Sequence, residues 1–191
     1  MASVLPFDEL NRFATQIRER YETRKLESSD DYEDIIDEML DLFLLAYAQG
    51  NTVTQENLAY LAPGRELQKP TVDEVMQVVN AKVAGQTWEE RTRDWFANGG
   101  SVEDIVRIAE TETHRIANTS ALSTAKKAGA KSKTWVTMAD DKVRELHQPL
   151  EMMTVGIDED FYTFDNDHAP APGLFEYPEN NINCRCELMF S

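Results

Sequence analysis

The side chains best suited to chemistry fall in two short stretches of the chain. Asp141, Arg144 and His147 are three residues apart, and Cys184 and Cys186 are two residues apart near the C-terminus. Residues three apart share a helix face, so one helical turn with an aspartate cap would align an acid, a guanidinium and an imidazole. Residues two apart share a strand face. The spacing therefore predicts a small unit with both sulfurs on one side.

Zinc binding and plain packing are the two interpretations of the imidazole and the thiols. His147, Cys184 and Cys186 would supply three ligands of a tetrahedral zinc, with Asp141 or His168 as a fourth. The packing alternative makes both sulfurs small buried hydrophobes and lets His147 donate a hydrogen bond to Asp141 or a carbonyl. Spacing favours packing, because the pair is C-x-C and not the usual C-x-x-C knuckle. We therefore expect no cofactor and no bound metal, with zinc as the alternative.

Catalysis by the same residues is the second question that the sequence raises. A set of Asp, Arg, His and Cys side chains could do nucleophilic or nuclease chemistry. The sequence contains no phosphate loop, zinc-protease motif or nucleophile elbow, and the cysteines are predicted to face inward. We expect no catalytic residue, and instead a buried pair between Asp141 and Arg144 that fixes a small fold. The alternative is a small hydrolase or toxin-like enzyme centred on Arg144, His147, Cys184 and Cys186.

Composition limits the class of protein. The chain has 191 residues with 41% hydrophobic content, which suits one domain or two small ones, and a formal net charge of −16. Such an acidic surface does not favour binding to nucleic acid over its whole area. No apolar run approaches the length of a membrane span, and the start lacks the pattern of a signal peptide. We therefore expect no membrane contact and synthesis in a cytoplasm.

One segment reverses the sign of the charge. From residue 113 to residue 139 there are five bases and no acid: Arg115, Lys126, Lys127, Lys131 and Lys133. The segment could form a patch that contacts DNA phosphates or an acidic partner. Alternatively, the lysines reflect the general preference for cations at a helix C-terminus, and this second interpretation is favoured.

The remaining sequence predicts an α+β fold. Apolar periodicity and capping signals predict helices over about 7–25, 30–49, 54–61, 71–85, 87–98 and 101–127. Strand signals follow only after residue 131, including a closing strand over about 182–190. We predict a mainly helical domain over 1–128, a junction at Gly129, and a small α+β domain with a short antiparallel sheet over 131–191.

The motifs together resemble tailed-phage minor head proteins of the Mu F-like, or head-morphogenesis, type. That family carries a Trp in a strand, an Asp, an Arg-x-x-His, a loop rich in proline and a closing Cys-Arg-Cys. The matching positions here are Trp135, Asp141, Arg144, His147, Pro170, Pro172, Pro178, Cys184, Arg185 and Cys186, preceded on a helix by Thr111, Glu112, Thr113 and Asn118. The resemblance covers roughly residues 105–189. It departs at Glu110, where an Arg is common, and at 149–152, where the family has a turn with glycine.

The resemblance implies a structural role and not an enzymatic one. It implies a minor head protein that associates with the portal and with major capsid or scaffold proteins during procapsid assembly. It further implies a place in the interior of the phage head, synthesis in the bacterial host, and an influence on the packaging or ejection of double-stranded DNA. Some relatives carry a toxin or transferase domain after this module. Because this chain ends at Ser191, we expect none here.

Overall fold

The computed structural model describes residues 3–22, 29–61, 63 and 69–191. Helix α1, Phe7–Glu22, buries Leu10, Phe13 and Ile17 on one face, as its apolar spacing predicts. The last predicted positions of that helix, 23–25, lie outside the described residues.

Helix α2, Ser29–Asn57, is one continuous helix where the sequence predicted two with a break at Gly50. Gly50 does not end the helix because its role is in packing against helix α5, Val102–Ala128. A Cβ on Gly50 would lie 2.4 Å from the carbonyl oxygen of Ala117. Next to this contact, the Ser120 hydroxyl donates to the Tyr47 carbonyl at 2.7 Å. The missing side chain therefore lets the two helices approach closely.

Two short helices follow α2, and both begin with the predicted capping boxes. In α3, Val72–Val79, the Thr71 and Glu74 side chains each bond the other's backbone N–H. In α4, Trp88–Asn98, Thr87 and Glu90 do the same. Helix α3 ends at Val79 and not near residue 85, because the chain then forms a turn closed by a bridge between Val83 and Gln86.

Helix α5 is the central element of the helical region. Its first turn begins after Ser101, whose backbone N–H donates to the Asp104 carboxylate at 3.0 Å. It ends at Gly129, which adopts the left-handed conformation with φ of 90°. Helices α1 to α5 enclose a core of large apolar side chains that includes Ile17, Ile35, Met39, Phe43, Trp88, Ile105 and Ile116.

The C-terminal region forms a small antiparallel sheet, so the α+β class predicted from the sequence is confirmed. Strand β1, Ser132–Val136, lies between β2, Thr154–Gly156, and β5, Glu187–Phe190. Strands β3, Phe161–Tyr162, and β4, His168–Ala169, form a separate hairpin. A 3-10 helix, Gln148–Leu150, and a one-turn helix α6, Pro178–Asn181, complete the region.

The two regions share buried contacts along the second half of α5. Leu122 belongs to the same buried cluster as Trp135 and Leu188, and Ala125 and Ala128 pack with Ala130. The division into domains at Gly129 therefore stays a prediction. None of the helices in the described part of the chain has the length and apolar character to cross a membrane.

Candidate functional site

His147, Cys184 and Cys186 meet in the interior of the C-terminal region. The Nδ1 atom of His147 lies 3.7 Å from the sulfur of Cys184 and 3.7 Å from the sulfur of Cys186. The nitrogen and both sulfurs lie within 4.8 Å of one another, and all three side chains are buried. The structure thus brings together the three residues that the sequence indicated as a potential ligand set.

Aromatic side chains hold the imidazole of His147. The residue precedes the 3-10 helix, and its ring stacks on Phe175 with centroids 5.4 Å apart. Its other neighbour is Trp135 of β1, which meets the imidazole edge-to-face at 5.5 Å. The Nε2 atom is buried and finds no hydrogen-bond partner among the described residues. Packing therefore sets the ring orientation and leaves Nδ1 facing the sulfurs.

Helix α5 holds the backbone of the cysteine segment. The Cys184 carbonyl bonds to Nδ1 of His114, and the Cys186 carbonyl accepts from the Asn118 amide at 3.1 Å. Both cysteines precede β5, so the predicted strand over 182–190 is too long at its start. A left-handed residue, Asn183 with φ of 57°, interrupts the extended chain. The sulfurs still converge, through this local bend and the two anchors on α5.

The loop over 163–181 supports the aromatic wall of the site. The Asp167 carboxylate accepts from the backbone N–H groups of Glu176 and Tyr177, each at 3.0 Å. The Asn181 side chain bonds both the N–H and the carbonyl of Phe175. These bonds fix the ring that stacks on His147. Asp167 and Asn181 were missed in the sequence, where their loop showed only turn-forming composition.

The predicted alignment of Asp141, Arg144 and His147 is wrong. The segment forms turns and not a helical turn, so residues three apart do not share a face. Asp141 is exposed and forms no ion pair within the described residues, whereas Arg185 donates to both carboxylate oxygens of Asp140 at 2.8 Å. This pairing holds the pKa of Asp140 below its usual value. The acid of the observed ion pair is therefore Asp140, one residue before the predicted Asp141. Its partner is Arg185 of the cysteine motif and not Arg144.

A second polar cluster lies along α5, at a place where we predicted no ion pair. Glu112 is fully buried and accepts from Arg115 at 2.7 Å and from Arg91 of α4 at 2.5 Å. Arg115 also donates to the carbonyls of Val78 and Val79, the last residues of α3. These bonds cap the C-terminal end of α3 and link it to α4 and α5. The spacing of Glu112 and Arg115, three apart on a helix, was the one available signal.

The structure separates the five bases of the predicted patch, because two are buried and two form ion pairs. Arg115 is buried in the cluster just described, and Lys133 is buried with its ammonium 5.6 Å from the Phe161 ring centroid. Burial lowers the pKa of Lys133. Lys126 pairs with Asp158 at 2.8 Å and Lys127 pairs with Glu74 at 3.0 Å, while Lys131 is exposed. Arg115 and Lys133 therefore cannot contact DNA; contact by the other three stays untested.

The surroundings shift the pKa values of the two thiols in opposite directions. The neighbouring Cys186 thiol, followed by His147, lowers the pKa of Cys184, and burial opposes them. Cys184 in turn raises the pKa of Cys186, together with burial. The remaining candidate ligand, His168, is exposed and bonds Asp160 at 3.0 Å, so it does not belong to this site.

Comparisons with known proteins agree with the motifs. The chain is 31% identical over 148 residues to an NAD(+)–arginine ADP-ribosyltransferase, EFV, of Enterococcus faecalis; the match covers 60% of this chain and 30% of that protein. It is 29% identical over 85 residues to the minor head protein GP7 of Bacillus phage SPP1, covering 43% of this chain and 28% of GP7. The chain thus spans less than a third of either relative. No solved structure matches.

The family model described as Phage Mu protein F like protein matches residues 72–189, more than half of the chain, and the chain belongs to this family.

Proposed function

We propose that this protein is a structural minor component of a tailed-phage head. In this proposal it joins the portal and the major capsid or scaffold proteins during procapsid assembly and stays inside the head. The family match over residues 72–189 is the observation that carries the proposal. The similarity to the SPP1 minor head protein supports it.

The nature of the buried polar groups favours a structural role for the signature residues. Cys184, Cys186 and His147 are each at most 4% exposed, which leaves little access for a substrate to a nucleophile. Glu112, Thr111, Thr113 and Asn118 of the helix motif are also buried. Glu112 and Asn118 form hydrogen bonds in this position, and buried hydrogen-bonded groups specify how elements pack. In this proposal the motif maintains the shape of the module that its assembly partners contact.

An effect on DNA packaging or ejection would act through the portal in this proposal. A formal charge of −16 opposes broad contact with phosphates. Lys126 and Lys127 are each engaged by a carboxylate, which lowers their value as phosphate contacts. The proposed influence on DNA therefore depends on protein contacts at the head vertex.

The similarity to an ADP-ribosyltransferase supports a second candidate function, an enzymatic one. The match spans 60% of this chain but only 30% of the enzyme, so it can reflect a shared module outside the transferase part. An enzyme centred on Arg144, His147 and the cysteines would require access to the buried thiols. We therefore rank the structural role first and let a direct assay decide.

Purification of procapsids tests the structural role. We expect an affinity-tagged chain, expressed during infection by the phage that encodes it, to co-purify with heads and to cross-link to the portal protein. Heads assembled without portal serve as the control, because they should lose the chain. Absence of the chain from heads that contain portal would contradict the proposal.

A parallel assay addresses the enzymatic alternative. The purified chain is incubated with NAD⁺ and an arginine-containing acceptor, and release of nicotinamide is measured beside the His147→Ala variant. We expect no release above the blank from either protein. Turnover by the wild-type chain that disappears in the variant would favour the enzyme.

A further inference from the structure

We propose that His147, Cys184 and Cys186 bind one Zn²⁺ ion, with a water molecule in the fourth position. This is the alternative that spacing alone ranked second. The three donor atoms come from two segments, the turn before the 3-10 helix and the segment before β5, and meet in the buried interior. An ion at this point would fasten the C-terminal segment to the chain after β1.

The distances between the donor atoms suit zinc. Zinc binds sulfur at about 2.3 Å and histidine nitrogen at about 2.0–2.1 Å, so at the tetrahedral angle nitrogen and sulfur are roughly 3.6 Å apart. The Nδ1 atom of His147 lies 3.7 Å from both sulfurs. Both nitrogen–sulfur separations therefore match a tetrahedral zinc site, and all three donor atoms lie within 4.8 Å of one another.

A hydrogen bond alone accounts less well for this arrangement. A neutral imidazole nitrogen carries either one proton or one lone pair, so Nδ1 can form one good bond. Here it is equidistant from two sulfurs. A cation between the three atoms interacts with the lone pair and with both sulfurs at once.

The charge of the site also favours a divalent ion. Two thiolates and Zn²⁺ sum to zero, which removes the cost of holding an unpaired charge in a buried place. Soft sulfur and imidazole ligands in a tetrahedral arrangement select zinc over calcium or magnesium. Ligation deprotonates both thiols and releases their protons to solvent.

The donors are fixed by other parts of the molecule, as ligands of a bound ion need to be. His114 and Asn118 hold the carbonyls of the two cysteines. Phe175 and Trp135 hold the imidazole. No large movement of the backbone is required for the three atoms to reach a common ion.

A small cleft supplies the fourth position. It measures about 10 Å³ and is bordered by the three donors and by Met138, Lys142, Val143, Arg144, Asn183 and Arg185. This is close to the space that one water molecule needs. Asp141 and His168, the fourth ligands considered from the sequence, are both exposed. Water therefore replaces a fourth side chain.

Metal content of the purified 191-residue chain tests the proposal. After purification without chelators and dialysis against a small excess of zinc, elemental analysis should find about one zinc per chain. Cobalt(II) in place of zinc should give the intense visible bands of a tetrahedral site and a near-ultraviolet sulfur-to-cobalt band. The Cys184→Ser and His147→Gln variants should lose both signals, and His168→Gln, the matched control, should keep them.

A chelation cycle keeps the test decisive if a ligand variant fails to fold. Removal of zinc from the wild-type chain should lower its Tm by several degrees and expose two reactive thiols, and added zinc should reverse both changes. Wild-type protein with no zinc after dialysis, or with a Tm and thiol reactivity indifferent to zinc, would overturn the proposal. Neither result depends on head assembly, so the proposed function is tested separately.

Discussion

One guanidinium nitrogen of Arg185 donates to both carboxylate oxygens of Asp140, each at 2.8 Å. Asp140 follows β1, and Arg185 lies between the two cysteines, so the pair joins the two segments that form the site. Both side chains are partly exposed, at 28% for Arg185 and 37% for Asp140. Solvent and salt therefore weaken the pair.

Loss of this pair should loosen the loop after β1 more than it lowers global stability. We expect Arg185→Ala to increase the rate of proteolytic cleavage between Met138 and Glu145, with a small change in Tm. High salt should reproduce part of this effect in the wild-type chain. Arg107→Ala, which removes an exposed pair with Asp104 on α5, is the matched control and should not change cleavage in the loop. Equal cleavage of all three proteins would show that the pair does not restrain the loop.

Gly50 should resist replacement despite its place inside a helix. Alanine is favoured over glycine by about 1 kcal/mol in a helix interior. A Cβ at this position would lie 2.4 Å from the backbone oxygen of Ala117, and overpacking of this kind costs about 1–3 kcal/mol or more. We therefore expect Gly50→Ala to lower the free energy of unfolding, measured in urea.

A variant on the exposed side of α2 separates the effect of helix propensity on stability from the effect of packing against α5. Ala48 is exposed, so Ala48→Gly should cost about 1 kcal/mol through helix propensity alone. A stabilising Gly50→Ala would mean that α2 and α5 do not approach as closely as the structure places them.

The difference between these two positions shows what the sequence could predict. Capping boxes at Thr71 and Thr87 are local signals between residues three apart, and the structure has both. The role of Gly50 depends on Ala117, which is remote in the chain. From the local sequence alone, a glycine that packs against another helix looks the same as a glycine that ends its own helix. The break predicted at residue 50 was wrong for this reason.

The candidate site shows the same difference between local signals and contacts of residues distant in the chain. His147, Cys184 and Cys186 were indicated by the sequence as a possible ligand set, although their spacing favoured plain packing. The choice of Asp140 over Asp141 depends on the conformation of a loop with no regular period. The burial of Arg115 and Lys133 depends on neighbours distant in sequence, and a count of charges cannot indicate it. Sequence therefore predicted the members of the site better than their pairing.

The buried cluster around Glu112 should be important for stability. Arg115→Ala removes the bond to Glu112 and the bonds to the Val78 and Val79 carbonyls, of which Val78 keeps the Ala81 N–H as a donor. Breaking a buried pair by removing one partner costs about 3–5 kcal/mol. We expect a loss of this size in urea unfolding. A double variant, Glu112→Gln with Arg115→Met, should recover part of the loss, because no buried carboxylate is then left and Arg91, whose side chain is 22% exposed, can turn to solvent; no recovery would assign the loss to the α3 carbonyl.

Glu110 should produce a pH dependence with a defined sign. Burial raises the pKa of Glu110, with Glu103 adding to it and Arg18 opposing it. A carboxyl whose pKa is raised by folding contributes stability that is fully present below its unfolded pKa of about 4.5 and is lost as pH rises through the folded pKa. Glu110→Gln removes this dependence. Its Tm should therefore increase relative to wild type as pH rises from 4 to 7.

A carboxyl shifted the other way provides the control. A backbone hydrogen bond from Thr71, followed by the Lys127 ammonium, lowers the pKa of Glu74. Its stabilising effect is present above the unfolded pKa and is lost as pH falls through the folded one. Glu74→Gln should thus lose Tm relative to wild type as pH rises over the same range. Parallel trends for the two variants would contradict the assigned shifts.

The predicted junction at Gly129 can be tested by cutting the chain there. Gly129 adopts the left-handed conformation at the end of α5, and the first strand begins at Ser132, so a protease site between them interrupts no regular element. We expect the cut protein to keep its far-ultraviolet circular dichroism, because the helices before residue 129 have their own apolar core.

We also expect the two pieces to remain associated in size-exclusion chromatography. Leu122 packs in the same cluster as Trp135 and Leu188, and separation would expose that surface. Leu122→Ser in the cut protein should release the C-terminal piece, whereas the exposed Lys131→Ser should not. Loss of helical signal on cutting would show that residues 1–128 do not form a domain, and would place the second half of α5 with the sheet.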